Sequence, residues 1–299
     1  RRPGLRAMLT MSGTDLGTID TTAIGFRIGP RLNAAGRLSS ARLAFDTLTA
    51  QTAEAAEIAA TKLESLNKER QSIFRDSYKE AEVIAKSMID EQCNVLVVAS
   101  DAWLPGIVGL IAGRLVNDFA LPAFALTKVG DHYVGSGRTA GGLHLVEAMN
   151  ACGDIFIKKG GHPQACGLSV RTMDDVHEFR TQMNIFAQSK FGVGGPSVTL
   201  PIDAIVTPSA FTVDSIGELN TCAPFGEGNR PPVFAALKLT VMIAETMGAT
   251  GTHLRLTVLD DAGKVCKMVG FGMGDKAEAL TRGRQIDIAY EPGINEWNG

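Results

Sequence analysis

Between residues 52 and 92 the chain contains neither Gly nor Pro, and apolar residues return every three or four positions: Ala59, Leu63, Leu66, Ile73, Phe74, Tyr78, Ala81, Ile84 and Met88. That is the stripe of one amphipathic helix. About 40 residues at ~1.5 Å each span roughly 60 Å, too far for one small domain to cover, so this helix is expected to connect two. After it the pattern changes. Residues 93–100 are a short β-branched run that suits a buried parallel strand. Residues 106–117 read as a helix, 119–127 and 132–136 as strands, and 143–149 as a short helix. Gly160-Gly161 reads as a turn, 166–170 as a strand and 173–189 as a helix. This alternation predicts an α/β domain with a central sheet over about 90–190. Residues 191–196, Phe-Gly-Val-Gly-Gly-Pro, form a linker by composition. Beyond them lie five short strand-like segments, at 198–205, 233–244, 253–260, 264–271 and 285–290, with turn signals between. They predict a small β-barrel, with an OB-fold as the leading candidate.

Composition narrows the classes. The chain has 299 residues, 45% hydrophobic and 20% charged, which excludes disorder and fits about two domains. The apolar run 104–116 is too short for a membrane span and contains Arg114. A net charge of −3 excludes a chain-wide basic signature. Locally the balance differs. Residues 1–42 hold seven Arg against two Asp, or +5, either as a solvated face offsetting an acidic neighbour or as an anion-facing surface. Residues 197–299 hold eight Lys/Arg against twelve Asp/Glu, or −4, so any nucleic-acid contact there needs a local patch or stacking. The five cysteines are scattered, with no C-x-x-C pair, which argues against zinc and a disulfide framework and makes a reducing cytoplasm the expected setting. The chain starts at Arg1 with no apolar leader and ends on Asn295-Glu296-Trp297-Asn298-Gly299, so it reads as an internal or C-terminal piece of a longer protein.

Three segments carry candidate chemistry. Gly29-Pro30-Arg31-Leu32-Asn33-Ala34-Ala35-Gly36-Arg37 sets two guanidinium groups and an amide among small residues that allow close backbone approach. It is equally readable as a tight inter-domain turn. Gly135-Ser136-Gly137-Arg138-Thr139 follows a predicted strand and offers a hydroxyl, backbone N–H groups and a guanidinium, as an anion cradle or as a structural turn. Gly160-Gly161-His162 places an imidazole beside a flexible glycine pair, where it can donate to a phosphate, act as an acid or base, or simply be structural. No metal-ligand constellation is present. Glu64 and Glu69 read as solvated helix positions.

The ordered set of segments resembles the RecJ branch of the DHH phosphoesterase family, single-strand-specific 5′→3′ DNA exonucleases. It runs from Ile28–Leu38 through Ser100–Arg114, with Trp103, Pro105, Gly106 and Gly109, to Gly135–Arg138 and Gly160–His162. It closes with Pro224-Phe225-Gly226-Glu227-Gly228-Asn229 and the last five residues. The resemblance implies a layout: 1–42 as the end of the DHH catalytic domain, 43–90 as the connecting helix, 91–190 as the DHH-associated substrate-binding domain, and 197–299 as an OB domain, truncated before its final strand. It implies a two-metal hydrolase using Mn²⁺ or Mg²⁺, with ligands upstream of this chain, so that the isolated chain is expected to be inactive. It also implies site roles. Ser136 and Arg138 match the grip on the 5′ phosphate, helped by the segment carrying Arg31, Asn33 and Arg37, with Arg37 preferred. His162 matches the catalytic histidine facing the scissile phosphate, framed by Gly160 and Gly161. Single-stranded DNA is the implied partner, with a single-strand-binding protein and a helicase as further candidates, no membrane, and roles in repair and recombination. Two departures stand out: Leu104 replaces a His, and Pro163-Gln164-Ala165-Cys166-Gly167 replaces Ala-Met-Ala-Ala-Gly. The alternatives are an oligonucleotide or cyclic-dinucleotide phosphodiesterase, disfavoured by the OB-like segment, and a non-catalytic single-strand-binding module.

Overall fold

The computed structural model describes residues 2–17, 19–90, 93–192 and 199–295. It divides into two compact units, Arg1–Thr199 and Leu200–Gly299.

The first unit opens with helix α1 (Pro3–Met11), a π-helical turn Ala23–Ile28, α2 (Gly29–Leu38) and α3 (Arg42–Thr49). The residue pattern predicts no helix over 1–42, because Gly and Arg mask the apolar spacing. The expected long helix is α4 (Ala53–Asp90), 38 residues or roughly 57 Å. It starts ten residues later than 43, because α3 ends at Thr49 and Ala50 is extended. Its apolar stripe changes neighbours along its length. Ala60 and Leu63 pack with Met8, Leu9, Ile28 and Ala35, whereas Ala81, Ala85 and Met88 pack under the sheet that follows.

That sheet contains β1 (Leu96–Ala99), β2 (Ala123–Val129), β3 (His132–Arg138), β4 (Phe156–Gly161) and β5 (Ala165–Val170), in the order β1-β2-β3-β5-β4. Helices α5 (Val108–Phe119), α6 (Leu145–Ala151) and α7 (Met173–Phe191) complete the layers. Alternation in β1 sends Val97, with Val95 just before it, to one side against Phe179 and Met183, and Leu96 and Val98 to the other against Ile111 and Leu115. Burial on both faces explains why the strand reads as a continuous β-branched run. Only β1 and β2 are parallel; β2-β3, β3-β5 and β5-β4 are antiparallel, so the sheet is mixed. The outer edge of β1 is closed by side chains of α7. Asn184 Oδ1 accepts the N–H groups of Asn94 and Val95 at 2.8 and 3.1 Å, and Arg180 donates to the Val97 carbonyl. The Gly160-Gly161 pair, expected to form a turn, instead ends strand β4.

The second unit holds β6 (Ala204–Ile205), α8 (Val213–Asn220), β7 (Phe234–Met247), β8 (His253–Leu259), β9 (Val265–Gly270) and β10 (Gln285–Tyr290). The sheet order is β10-β7-β8-β9, with β6 on β7. It curls round a core of Ala236, Leu239, Val241, Leu254, Leu256 and Val258, as expected for an OB-type half-barrel. The expected first strand shrinks to two residues, and Val198 lies outside the described residues, as do the linker positions 193–196 and Glu296 to Gly299.

Candidate functional site

A cavity of about 420 Å³ opens between three segments of the first unit. Gly36 and Arg37 come from the end of α2, Pro105, Gly106, Val108 and Gly109 from the entry to α5, and Val134, Gly135, Ser136 and Arg138 from β3. Each wall has a local cause. The loop before α5 is pinned by Trp103, whose Nε1 donates to Glu80 at 2.8 Å and whose carbonyl accepts from the Thr127 hydroxyl at 2.7 Å. Gly106 lies against the backbone of α2: a Cβ there would come 2.0 Å from the Arg37 carbonyl oxygen. At Gly109 a Cβ would come 3.1 Å from Arg138 Nη2 and 3.2 Å from Ser136 Oγ, so this glycine keeps the space between them open.

The lining is rich in donors. Arg37 Nη1 donates to the Gly106 carbonyl at 2.7 Å, which fixes the guanidinium at the rim. Arg138 Nη1 donates to Ser136 Oγ at 2.7 Å and to the Gly137 carbonyl at 2.6 Å, and the Ser136 hydroxyl donates to the Cys166 carbonyl at 3.2 Å. Val108 and Gly109 are the first residues of α5, whose opening N–H groups have no partner in the helix and carry its positive end. No carboxylate forms a salt bridge with Arg37 or Arg138 among the described residues. Burial, and then the charge of Arg138, lower the pKa of Arg37 below that of a free guanidinium. Arg70 on α4 shifts the same way, from burial and then from the charge of Arg37. Its Nε is buried without a partner, while Nη2 donates to the Asn67 side chain at 2.9 Å. An anion in the cavity would offset the cost of holding these like charges together without a counter-charge.

Of the predicted site residues, Arg37, Ser136 and Arg138 share this cavity. Arg31 does not line it: its Nε is 2.6 Å from Glu64, with both side chains largely buried, so it ties α2 to α4. Glu64, expected to be solvated, is that partner. Asn33 is exposed on α2, one turn before Arg37 and on the same face. Gly160 stands in a row with Gly167 and Ser136 across β4, β5 and β3, roughly 10 Å from Ser136 at ordinary strand spacing. Gly161 has φ +147°, and a Cβ there would come 2.5 Å from the Ala165 carbonyl oxygen. His162 follows, exposed, with its N–H on that same carbonyl at 2.8 Å. It lies at the tip of the β4–β5 hairpin and not in the cavity wall. Arg70 does not line the cavity but carries a charge felt from Arg37, and its sequence signal is its place between Leu66 and Ile73, inside the apolar stripe of α4.

Residues 92–189 match the DHHA1 domain and residues 202–299 the RecJ OB domain. Over 300 residues, 99% of the chain, there is 33% identity to the single-stranded-DNA-specific exonuclease RecJ of Bacillus subtilis (strain 168), covering 38% of that protein. Over almost its whole length the chain is therefore similar to RecJ proteins. A second RecJ, from Dickeya dadantii (strain 3937), is 27% identical over 307 residues, all of this chain and 53% of the relative. The crystal structure of RecJ in complex with Mn²⁺ from Thermus thermophilus shares the fold, with a TM-score of 0.83 at 24% identity over 99% of this chain and 42% of that one. The chain therefore spans about half or less of the RecJ proteins it matches.

Proposed function

We propose that this chain is the end-recognition and strand-guiding part of a single-stranded-DNA-specific 5′→3′ exonuclease, and that the cavity takes the 5′-terminal phosphate. The observation that carries this reading is the convergence of Arg37, Arg138, the Ser136 hydroxyl and the start of α5 on one cavity without a carboxylate. A phosphate dianion supplies the negative charge and acceptor oxygens that this donor set lacks. Arg138 and Ser136 grip the terminal group, and Arg37 closes the rim. Asn33, Gly160, Gly161 and His162 belong to the path by which the strand reaches the reacting phosphate, with His162 as the catalytic donor. Arg31 serves this site by positioning α2.

The cavity is the wrong chemistry for a cation, and among the described residues no group of three or more His, Cys, Asp or Glu could hold a metal. These residues do not fit the Mn²⁺ or Mg²⁺ pair of the family; residues 1–42 are the end of the domain that would hold it. The proposed enzyme acts in DNA repair and recombination, in a cytoplasmic setting consistent with five free cysteines, together with a single-strand-binding protein or helicase. No helix among the described residues is long and apolar enough to cross a membrane.

The test compares 5′-phosphorylated and 5′-hydroxyl oligonucleotides by fluorescence anisotropy. Arg138→Ala is expected to weaken the phosphorylated ligand selectively by about 1.5–3 kcal/mol, the worth of a charged hydrogen bond. An equal loss on both ligands would remove the phosphate from this cavity.

A further inference from the structure

The hairpin that carries His162 is held from outside. Strands β4 and β5 meet at a two-residue turn: Gly161 stands opposite Cys166, the His162 N–H reaches the Ala165 carbonyl at 2.8 Å, and Pro163 and Gln164 lie between. Two-residue turns that suit the twist of their strands need a positive φ at the first or at both central positions. Proline is locked at roughly −65°, and neither Pro163 nor Gln164 has a positive φ, so this turn does not close the hairpin by its own preference. Residues 160–164 are all exposed, so packing does not close it either. The His162 ring makes no hydrogen bond or ion pair among the described residues, which leaves the backbone of the turn to set where it points.

What fixes that backbone is the segment after Arg138. The Thr139 N–H donates to the Gln164 carbonyl at 3.1 Å and the Leu145 N–H to the Pro163 carbonyl at 2.9 Å, so one strap, 139–145, takes both central carbonyls of the turn. The strap is anchored at its far end by Leu143 and Leu145 in the core of the sheet, and His144 Nδ1 accepts the Glu147 N–H at 3.2 Å. At its near end the Thr139 hydroxyl donates to the Gly141 carbonyl at 2.9 Å and accepts the Gly141 N–H at 3.2 Å. Lys159 adds a third tie, from β4 to the Met149 carbonyl at the end of α6, at 3.1 Å.

Thr139 therefore stands between two groups with assigned roles. Its neighbour Arg138 lines the cavity, and its own N–H holds the turn that sets His162. We propose that Thr139 is a positioning residue, and that the strap it opens holds His162 in register with the terminal-phosphate cavity. An anion that steadies Arg138 steadies residue 139 and, through it, the histidine. Capture of the strand end and placement of the donor then reinforce one another, and the coupling is reciprocal. The proposal rests on the end-recognition reading and on His162 as the donor.

The experiment follows, by NMR of the isotope-labelled chain, the ring signals of its five histidines and the Nε signals of its arginines as inorganic phosphate is added. Phosphate in the cavity does not touch His162, which is not in its wall. Arg138 and His162 should nevertheless shift with the same half-saturation. Thr139→Val removes the hydroxyl and keeps the shape. In it Arg138 should still respond, while the His162 response falls about fivefold and the Leu145 amide exchanges about tenfold faster, as loss of one hydrogen bond allows. The amides of β2 should keep their protection, and Thr139→Ser should restore both signals. A His162 signal that follows phosphate equally well in Thr139→Val, or a Leu145 amide that exchanges no faster, would overturn the strap. If phosphate moves Arg138 and not His162 in the unaltered chain, the cavity stands and the strap falls. If it moves neither, the cavity reading fails, and Leu145 exchange in Thr139→Val alone decides the strap.

Discussion

The arginine cavity of the first unit and the open sheet face of the second handle charge in opposite ways. In the cavity, Arg37 and Arg138 are half-buried, fixed by hydrogen bonds to the Gly106 carbonyl and the Ser136 hydroxyl, and crowded until their mutual repulsion is felt. On the sheet, Arg255 and Lys267 are exposed in the rows that follow Phe271, and among the described residues no hydrogen bond or salt bridge fixes them. A preorganised donor set suits a ligand of one shape, such as a terminal phosphoryl group. A flat apolar face with mobile cations suits a ligand that repeats and slides. The proposed roles of end recognition and strand guidance call for both, and here they fall in different folding units.

The comparison is broken most directly at Gly109. Replacing it with Val removes no donor but fills the space between Ser136 and Arg138, which a single Cβ already approaches to 3.2 and 3.1 Å. The expected result is loss of the 5′-phosphate preference by roughly tenfold or more, as in Arg138→Ala, with 5′-hydroxyl binding unchanged. Competition between the two oligonucleotides reads this out. A preserved preference would mean that the terminal phosphate sits elsewhere and that the cavity is only a gap in packing.

Much of this was legible in the residues. The long helix, the strands on both sides of 130 and the β-rich second unit follow from periodicity, because each buries a face that must be apolar at a fixed spacing. The segments with Arg37, Ser136 and Arg138 were visible as small residues framing guanidinium groups. What periodicity could not supply was pairing. That Arg31 is consumed by Glu64 depends on α2 lying along α4, a tertiary contact absent from either local pattern. Strand β4 was hidden because Lys158, Lys159 and two glycines show no alternation; as an edge strand it is largely exposed and needs none. The opposite case is Arg70, where a charge inside an apolar stripe was itself the signal.

Salt sharpens the comparison with a smaller effect. Each phosphate contact on a single strand contributes about 0.7 to the slope of log affinity against log salt. Arg138→Gln should lower the slope for a 5′-phosphorylated oligonucleotide by about that amount. In the strand-guiding role, Phe271→Ala should reduce affinity at every salt concentration and leave the slope unchanged, since an uncharged ring releases no counterion. A slope that falls in Phe271→Ala would mean that the ring acts by positioning Arg255 or Lys267.

The smallest effect concerns the strand beside the cavity and the core behind it. Cys166, whose carbonyl receives the Ser136 hydroxyl, has its thiol pushed up to about 11 by burial, and burial does the same to Cys152. A raised thiol pKa keeps the neutral form below about pH 11, so at about pH 8 both should resist a thiol reagent and gain reactivity only as the pH climbs toward that value. Cys222 in the second unit is exposed and should be labelled first. Peptide mass spectrometry of the native chain at about pH 8 distinguishes them. Labelling of Cys166 as fast as Cys222 would mean that strand β5, whose carbonyl receives the Ser136 hydroxyl, opens away from β3, and a cavity whose serine lost that neighbour could not hold its serine and two arginines in the fixed array that sets it apart from the sheet face.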